Sequence, residues 1–162
     1  MPGSFRNGLY AGLLIAAILW LWLATLWQPE RQIRLHSEHL LTQIENKNWR
    51  AVDDFVAEDY QDRWGNDHSR ALGRVRQVFS HLPKARIAAS GVQVRSEDRQ
   101  GYWQARITVT GDTGELATLI KERVNSLSAP FELEWQRRSK KPWDWKLVSV
   151  RNPSLEIADH GL

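Results

Sequence analysis

The sequence predicts an α+β protein. An N-terminal transmembrane helix precedes three helices that pack on a curved, mostly antiparallel sheet of four to six strands, giving a cone-like domain. Three observations predict this. Residues 9–27 carry no charge, and apolar residues recur at helical spacing over residues 30–82. After Pro83, apolar and polar residues alternate as in a β-strand. Strands joined by short turns pair antiparallel, which fixes the type of sheet.

The composition is that of one folded domain with an appendage. The chain has 162 residues, of which 25% are charged and 42% hydrophobic. Its 22 basic residues nearly balance its 19 acidic ones, which disfavours a nucleic-acid partner. It has no cysteine, so disulfides and thiolate metal sites are excluded. Phosphate-binding glycine loops and nucleophile elbows are also absent from the sequence, and we expect no cofactor.

The uncharged run predicts a membrane anchor, with the lipid bilayer as partner. Nineteen residues, 9–27, read LYAGLLIAAILWLWLATLW, and as a helix they would span about 28 Å. Tyr10 and Trp27 suit the two interfaces, and Trp20 and Trp22 lie in the same run. A buried core helix would carry polar residues, and a cleaved signal peptide would be shorter, with a better cleavage site than residues 23–26.

The anchor divides the chain into a tail (1–8), a transmembrane helix (9–27), a domain (28–152) and a C-terminal tail (153–162). Orientation stays open at this stage. The basic residues that follow the run favour a cytoplasmic domain, whereas short-tailed anchors commonly export theirs. Between the two we favour the exported, periplasmic side.

Helical spacing predicts three helices in the first half of the domain. The first covers residues 30–46, and the second starts after a possible cap at Asn48 and continues to Tyr60. A third begins near Ser69 and stops at Pro83.

Alternation of apolar and polar residues predicts strands in the second half of the domain. They cover residues 85–97, with a bulge or a bend at Ser90-Gly91, and residues 102–110. Residues 114–127 return to helical spacing with Thr113 as a possible cap, and a strand is the alternative there. Closing strands follow at 131–135 and 143–151. Between them lies a basic turn, residues 137–142, with Arg137, Arg138, Lys140 and Lys141. It could touch anionic lipid, or it could be an ordinary solvated turn.

Residues 30–152 resemble the nuclear transport factor 2-like superfamily, the cone fold of ketosteroid isomerases. The resemblance rests on the order of three helices and then hairpins, on the Asp59-Tyr60-Gln61-Asp62 ending of the second helix, and on the paired closing strands. It implies several uses, because some members are enzymes and many are binding or assembly modules, membrane-anchored ones among them. The fold alone therefore does not select a function.

The resemblance implies where catalytic groups would lie, with acids and hydroxyls inside the cone. The candidates are Asp59, Tyr60, Asp62, Asp67 and His68. An isomerase needs a carboxylate base and a group that stabilises an oxyanion. The inward strand positions are apolar, which leaves a base without that second group, and so catalysis is disfavoured.

Aromatic residues could line an apolar ligand cavity in the cone or simply fill it. The candidate lining residues are Trp49, Tyr60, Trp64, Trp103, Ile107, Phe131 and Trp135. His36 and His39 could share a metal, but no third ligand is evident, and a solvated helix face without metal is favoured.

These observations favour a membrane-tethered, non-catalytic interaction or assembly module. It would bind a protein partner, or a second copy of itself, through the exposed face of the sheet. The alternative is a binder of small apolar ligands, or an isomerase- or lyase-type enzyme, that uses the cone cavity. A structural spacer without a site is the third hypothesis.

Overall fold

The structure is a computed structural model that describes the backbone of residues 3–155 and the side chains of residues 12–23, 25 and 27–155. The part of the C-terminal tail beyond residue 155 lies outside the described residues. The elements follow in the order α1 Gly3–Leu26, α2 Pro29–Glu45, α3 Trp49–Phe55, α4 His68–Ser80, β1 Arg86–Glu97, β2 Gln100–Thr110, α5 Glu115–Asn125, β3 Phe131–Arg137 and β4 Trp145–Arg151.

The four strands form one antiparallel sheet in the order β1-β2-β3-β4, as the short turns predicted. The register of β1 against β2 shifts between Ser90 and Gln93, so the predicted bulge is confirmed. Gly91 adopts φ 63° at this point, a backbone conformation that glycine reaches without steric cost. The helices and the sheet together give the expected α+β, cone-like fold.

The first helix, α1, begins at Gly3, inside the predicted N-terminal tail, and covers most of the predicted anchor. Within the residues that the structure describes, none of the helices combines the length and the apolar character needed to cross a bilayer. The transmembrane helix predicted at residues 9–27 is therefore not supported. The side chain of Tyr10 lies outside the described residues, while Trp20, Trp22 and Trp27 are 68%, 58% and 49% exposed.

Three tryptophans fill the space between α2 and the sheet. Trp103 and Trp135 are fully buried and Trp145 is 2% exposed. The buried side of α2 consists of Ile33, Ser37 and Leu40, at helical spacing, and it lies against them.

A buried polar contact fixes α2 on this aromatic layer. The indole Nε1 of Trp135 donates to Ser37 Oγ at 2.9 Å, and Ser37 Oγ donates to the carbonyl of Ile33 at 2.8 Å. Both side chains are fully buried, so the bond also satisfies an indole N–H that has left water.

Gly101 lets the start of α2 approach β2 closely. A Cβ built on Gly101 would lie 2.2 Å from Cδ1 of Ile33 and 3.3 Å from the ring of Trp145. Glu30, in the first turn of α2, hydrogen-bonds the hydroxyl of Ser96 at the same end of the sheet. The absence of a side chain at residue 101 therefore sets the depth at which α2 sits.

The second domain helix is shorter than predicted. α3 ends at Phe55, and the chain then becomes extended beside β4 instead of remaining helical to Tyr60. The N–H of Ala57 donates to the carbonyl of Leu147 at 2.9 Å, and that of Gln61 to Val148 at 3.0 Å. This pairing with a distant strand overrides the helical periodicity of the apolar residues.

The remaining elements differ from prediction mainly at their ends. α4 begins at His68, one residue before the predicted start near Ser69, and Asp67 caps it. Residues 115–125 form the predicted helix, not the alternative strand, although the residue before its first turn is Gly114 instead of Thr113. α5 packs on β2 through a second small core of Leu82, Ala85, Val109 and Ala117.

We predict that Ser37→Ala lowers the free energy of unfolding by about 1–3 kcal/mol, because it leaves the buried indole N–H of Trp135 without an acceptor. Denaturant unfolding of the full chain measures this loss. Ser80→Ala is the matched control, since its hydroxyl bonds the carbonyl of Gln77 at an exposed helix end, and it should change stability by less than about 0.5 kcal/mol. Equal effects of the two substitutions would show that the buried bond is not a major contact.

Candidate functional site

Two of the residues predicted as catalytic, Asp59 and His68, line a polar surface cleft beside α3. The cleft has a volume of about 470 Å³ and opens to solvent between α3 and the turn that joins β3 to β4. It is lined by Asp53, Asp54, Val56, Ala57, Glu58, Asp59, His68, Arg138 and Lys146.

Charged groups in this cleft pair with one another. His68 Nε2 lies 3.0 Å from Asp53 Oδ1, and Arg138 Nη1 donates to Asp59 Oδ2 at 3.1 Å. The hydrogen bonds from Arg138 lower the pKa of Asp59 below its ordinary value, so this carboxylate is ionised at neutral pH. Lys146 donates to the backbone carbonyl of Asp54. Such exposed pairs contribute about 0–1 kcal/mol to stability.

Tyr60 points away from the cleft and into the core. It is only 4% exposed, and its hydroxyl lies 3.5 Å from Oδ2 of Asp62. Burial, together with the nearby carboxylate of Asp62, raises the pKa of the Tyr60 phenol above its ordinary value. The phenol therefore stays protonated at neutral pH.

Asp62 organises the loop that leads into α4. Its Oδ1 accepts the backbone N–H groups of Trp64 and Asn66, each at 2.9 Å, and its Oδ2 accepts from Nδ2 of Asn66 at 2.8 Å. Asp67 has a similar local role, because its carboxylate accepts the N–H of Arg70 at 2.9 Å and caps α4. The geometry thus gives Asp62 and Asp67 local structural roles.

The five residues predicted as catalytic do not all meet in one site, although Asp59 and His68 line the same cleft. Asp62 lines a second, shallow cleft of about 450 Å³ with Ser149 and Arg151, whereas His68 lies in the first cleft. Tyr60 is in the core, and Asp67 is engaged at a helix end. The described arrangement therefore offers no convergence of acid, base and oxyanion donor.

The aromatic residues predicted to line a cavity fill the interior of the cone. Trp103, Trp135 and Tyr60 belong to the buried core, and Trp49, Ile107 and Phe131 pack against it as partly buried residues. Trp64 is half-buried at the surface, where its Nε1 donates to the carbonyl of Leu155 at 3.0 Å. None of the seven lines either of the two clefts above.

His36 takes part in aromatic packing rather than forming a solvated face with His39. Its Nδ1 lies 2.8 Å from the carbonyl of Gln32, and its ring contacts Phe55 and Trp135 edge to face. The ring of His39, which is exposed, also contacts Phe55 edge to face. Across residues 3–155, no group of three or more His, Asp or Glu side chains is arranged to hold a metal ion.

Arg138, Lys146 and Asp53 line the cleft and were not predicted as site residues. Arg138 and Asp59 are 79 positions apart, and their pairing depends on how the β3–β4 turn folds over α3. Residue spacing carries no local signal of such a contact. Only the basic character of residues 137–142 pointed to this turn.

Comparison with known proteins supports the fold and does not extend to a function. No family model matches the sequence, and no curated protein matches it. A nuclear transport factor 2-like protein of unknown function from Pseudomonas putida aligns with a TM-score of 0.55 at 10% identity, over 75% of this chain and 82% of that one. The S. rosetta CaMKII hub aligns with a TM-score of 0.60 at 11% identity, over 79% and 98%.

A third similar structure is larger than this chain. Bd1075 of Bdellovibrio bacteriovorus aligns with a TM-score of 0.59 at 8% identity, and the match covers 78% of this chain but only 40% of Bd1075. Identities this low show a shared fold and nothing more. The chain has a nuclear transport factor 2-like, cystatin-like cone fold.

We predict that Asp62→Ala destabilises the domain by about 1–3 kcal/mol, because two backbone N–H groups and one amide lose their acceptor. Asp62→Asn keeps one carbonyl oxygen for the two N–H groups and should cost less. Denaturant unfolding followed by tryptophan fluorescence measures both. An Asn variant as unstable as the Ala variant would mean that the carboxylate charge, rather than the local hydrogen bonds, holds the loop.

Proposed function

We propose that the chain is a membrane-tethered, non-catalytic interaction module, and that a second copy docks on the outer face of its sheet. The observation that carries the proposal is the packed interior of the cone. Trp103, Trp135 and Trp145 occupy the volume that an enzyme of this fold would use for its substrate. The candidate catalytic side chains have structural roles, which leaves the surfaces as the places where function would lie.

The outer face of the sheet is an ordered, charged surface. Arg151 Nη2 donates to Glu134 Oε2 at 2.8 Å, while Arg95 Nη2 lies 3.9 Å from Glu132 Oε2. The guanidinium of Arg95 also stacks over the ring of Tyr102, 4.2 Å from its centroid. These cross-strand contacts hold long side chains in place, which lowers the entropy lost when a partner binds.

Both signs of charge lie next to each other on this face, which suits pairing with itself. A two-fold interface places the same patch on both subunits, so each positive group must meet a negative one. Glu132 and Glu134 lie on the central strand β3, between Arg95 on β1 and Arg151 on β4. One structure of similar fold, from S. rosetta, is a CaMKII hub, and this similarity supports the proposal that copies of the chain assemble.

The tether is proposed from the sequence of the N-terminal helix. No charged residue occurs between Leu9 and Trp27, and the described large side chains of residues 13–23 are between 39% and 68% exposed. Exposed apolar side chains along this uncharged run favour an apolar environment, and a bilayer would supply one. The exported side of the membrane remains our proposed location for the domain.

We predict that the full chain floats with phosphatidylcholine vesicles in a density gradient. The double variant Leu14→Arg/Ile18→Arg should remain at the bottom, because each charge at a helix centre costs about 2.5–3.5 kcal/mol on insertion. Leu116→Arg/Leu119→Arg is the matched control on α5, where both leucines are exposed, and it should float. A wild-type chain that stays at the bottom would show that the tether is wrong.

We predict that Gln104→Cys, at the middle of the outer face on β2, forms an intermolecular disulfide on mild oxidation. The chain has no other cysteine, so any covalent dimer reports this position alone. Ser80→Cys, exposed at the end of α4, is the control and should stay monomeric. Dimer formation should weaken in high salt. Equal cross-linking of both variants, or a monomeric mass in sedimentation velocity, would contradict docking at this face.

A further inference from the structure

Two turns of the sheet lie together at the end where α2 begins. The guanidinium of Arg99, in the β1–β2 turn, donates to the carbonyls of Arg137 at 2.9 Å and Arg138 at 3.0 Å, and the N–H of Arg137 donates back to the carbonyl of Arg99 at 2.8 Å. Ser96 on β1 hydrogen-bonds Glu30 in the first turn of α2. Only Trp27 and Gln28 separate α2 from α1. This end of the domain is therefore next to the proposed tether.

The basic turn, residues 137–142, supplies positive charge at this end. Arg138 is paired with Asp59, and the guanidinium of Arg137 lies 5.8 Å from the ring centroid of Trp145. Lys140 and Lys141 remain exposed, and neither has an ion-pair partner among residues 27–155. The acids nearby are Asp98 beside Arg99, and Asp54 and Asp144, which line the same surface cleft as Lys141, while Asp59 is the partner of Arg138. The positive charge that remains exposed in the turn itself is that of Lys140 and Lys141.

An exposed tryptophan follows the two lysines. Trp143 is 53% exposed and lines a shallow surface cleft of about 270 Å³ with His36, Phe55 and Lys141. The neighbouring Trp145 is instead buried in the core. Large aromatic rings with a polar N–H favour the boundary between lipid and water, where the ring meets apolar atoms and the N–H meets water.

We propose that the basic turn and Trp143 contact an anionic lipid surface beside the anchor. The proposal rests on the proposed tether, which would bring this end of the domain close to the headgroups. Each Lys near an anionic membrane contributes about 1 kcal/mol, or about fivefold in the ratio of docked to undocked domain. The ring of Trp143 enters the interface between the headgroups, while the Arg99 hydrogen bonds keep the turn in position.

The absence of cysteine allows the contact to be measured at one position. Ser139→Cys, within the turn, is labelled with an environment-sensitive fluorophore in the full chain, and Thr113→Cys labels the opposite end of β2 as the control. The vesicles are phosphatidylcholine with or without phosphatidylglycerol. We expect the label at residue 139, and not the one at 113, to shift to the blue and be quenched by brominated lipid only when phosphatidylglycerol is present.

Neutralising the lysines tests the charge. Lys140→Gln/Lys141→Gln in the Ser139→Cys background should lower the ratio of docked to undocked domain by about 25-fold. Raising the salt from about 0.1 M to about 1 M should act in the same direction, because the screening length falls from about 10 Å to about 3 Å. Trp143→Ala should reduce the quenching while leaving the salt dependence in place.

The outcomes separate this proposal from the tether itself. If the chain floats with both kinds of vesicle and the label at residue 139 never responds, the lipid contact is wrong and the tether stands. If the chain does not float with neutral vesicles, the tether is wrong. Binding to anionic vesicles that is lost in the double Gln variant would then still support the contact. Binding to neither kind of vesicle overturns both proposals.

Discussion

The packing of α2 on Trp103, Trp135 and Trp145 is the constraint on which the rest of the domain depends. Ser37 accepts the indole N–H of Trp135, and this bond fixes both the rotation of α2 and the orientation of the ring. Trp103 and Trp145 are buried beside Trp135 and fill the rest of the interior of the cone. The buried Nε1 of Trp103 has no hydrogen-bond partner among the described residues.

Because aromatic side chains fill the interior of the cone, we look for a binding site on the surface of the domain. The same fold can enclose a ligand cavity when small residues line it, and here large aromatic residues take that space. Asp62 and Asp67 have become structural because carboxylates next to a helix start readily accept backbone N–H groups. Two acids of the stretch after α3, Asp62 and Asp67, therefore have structural roles in the loop and in the helix cap.

Much of the fold could be predicted because its signals are local. Alternation over β1 and β2, the bulge near Gly91 and the helical spacing of α2 all follow from neighbouring residues. The end of α3 could not be predicted, because Ala57 leaves the helix in order to pair with Leu147, ninety positions away. The cleft around Arg138 and Asp59 was missed for the same reason. The basic turn was visible in the sequence, but its fixation by Arg99 was not.

The missing side chain at Gly101 has a mechanical consequence. Because Ile33 presses directly on the backbone of β2 there, the first turn of α2 has no compliant layer beneath it. The beginning of α2, the helix that follows α1, therefore packs directly on the backbone of β2. Any side chain at residue 101 would therefore have to displace Ile33, and with it the beginning of α2, away from the sheet.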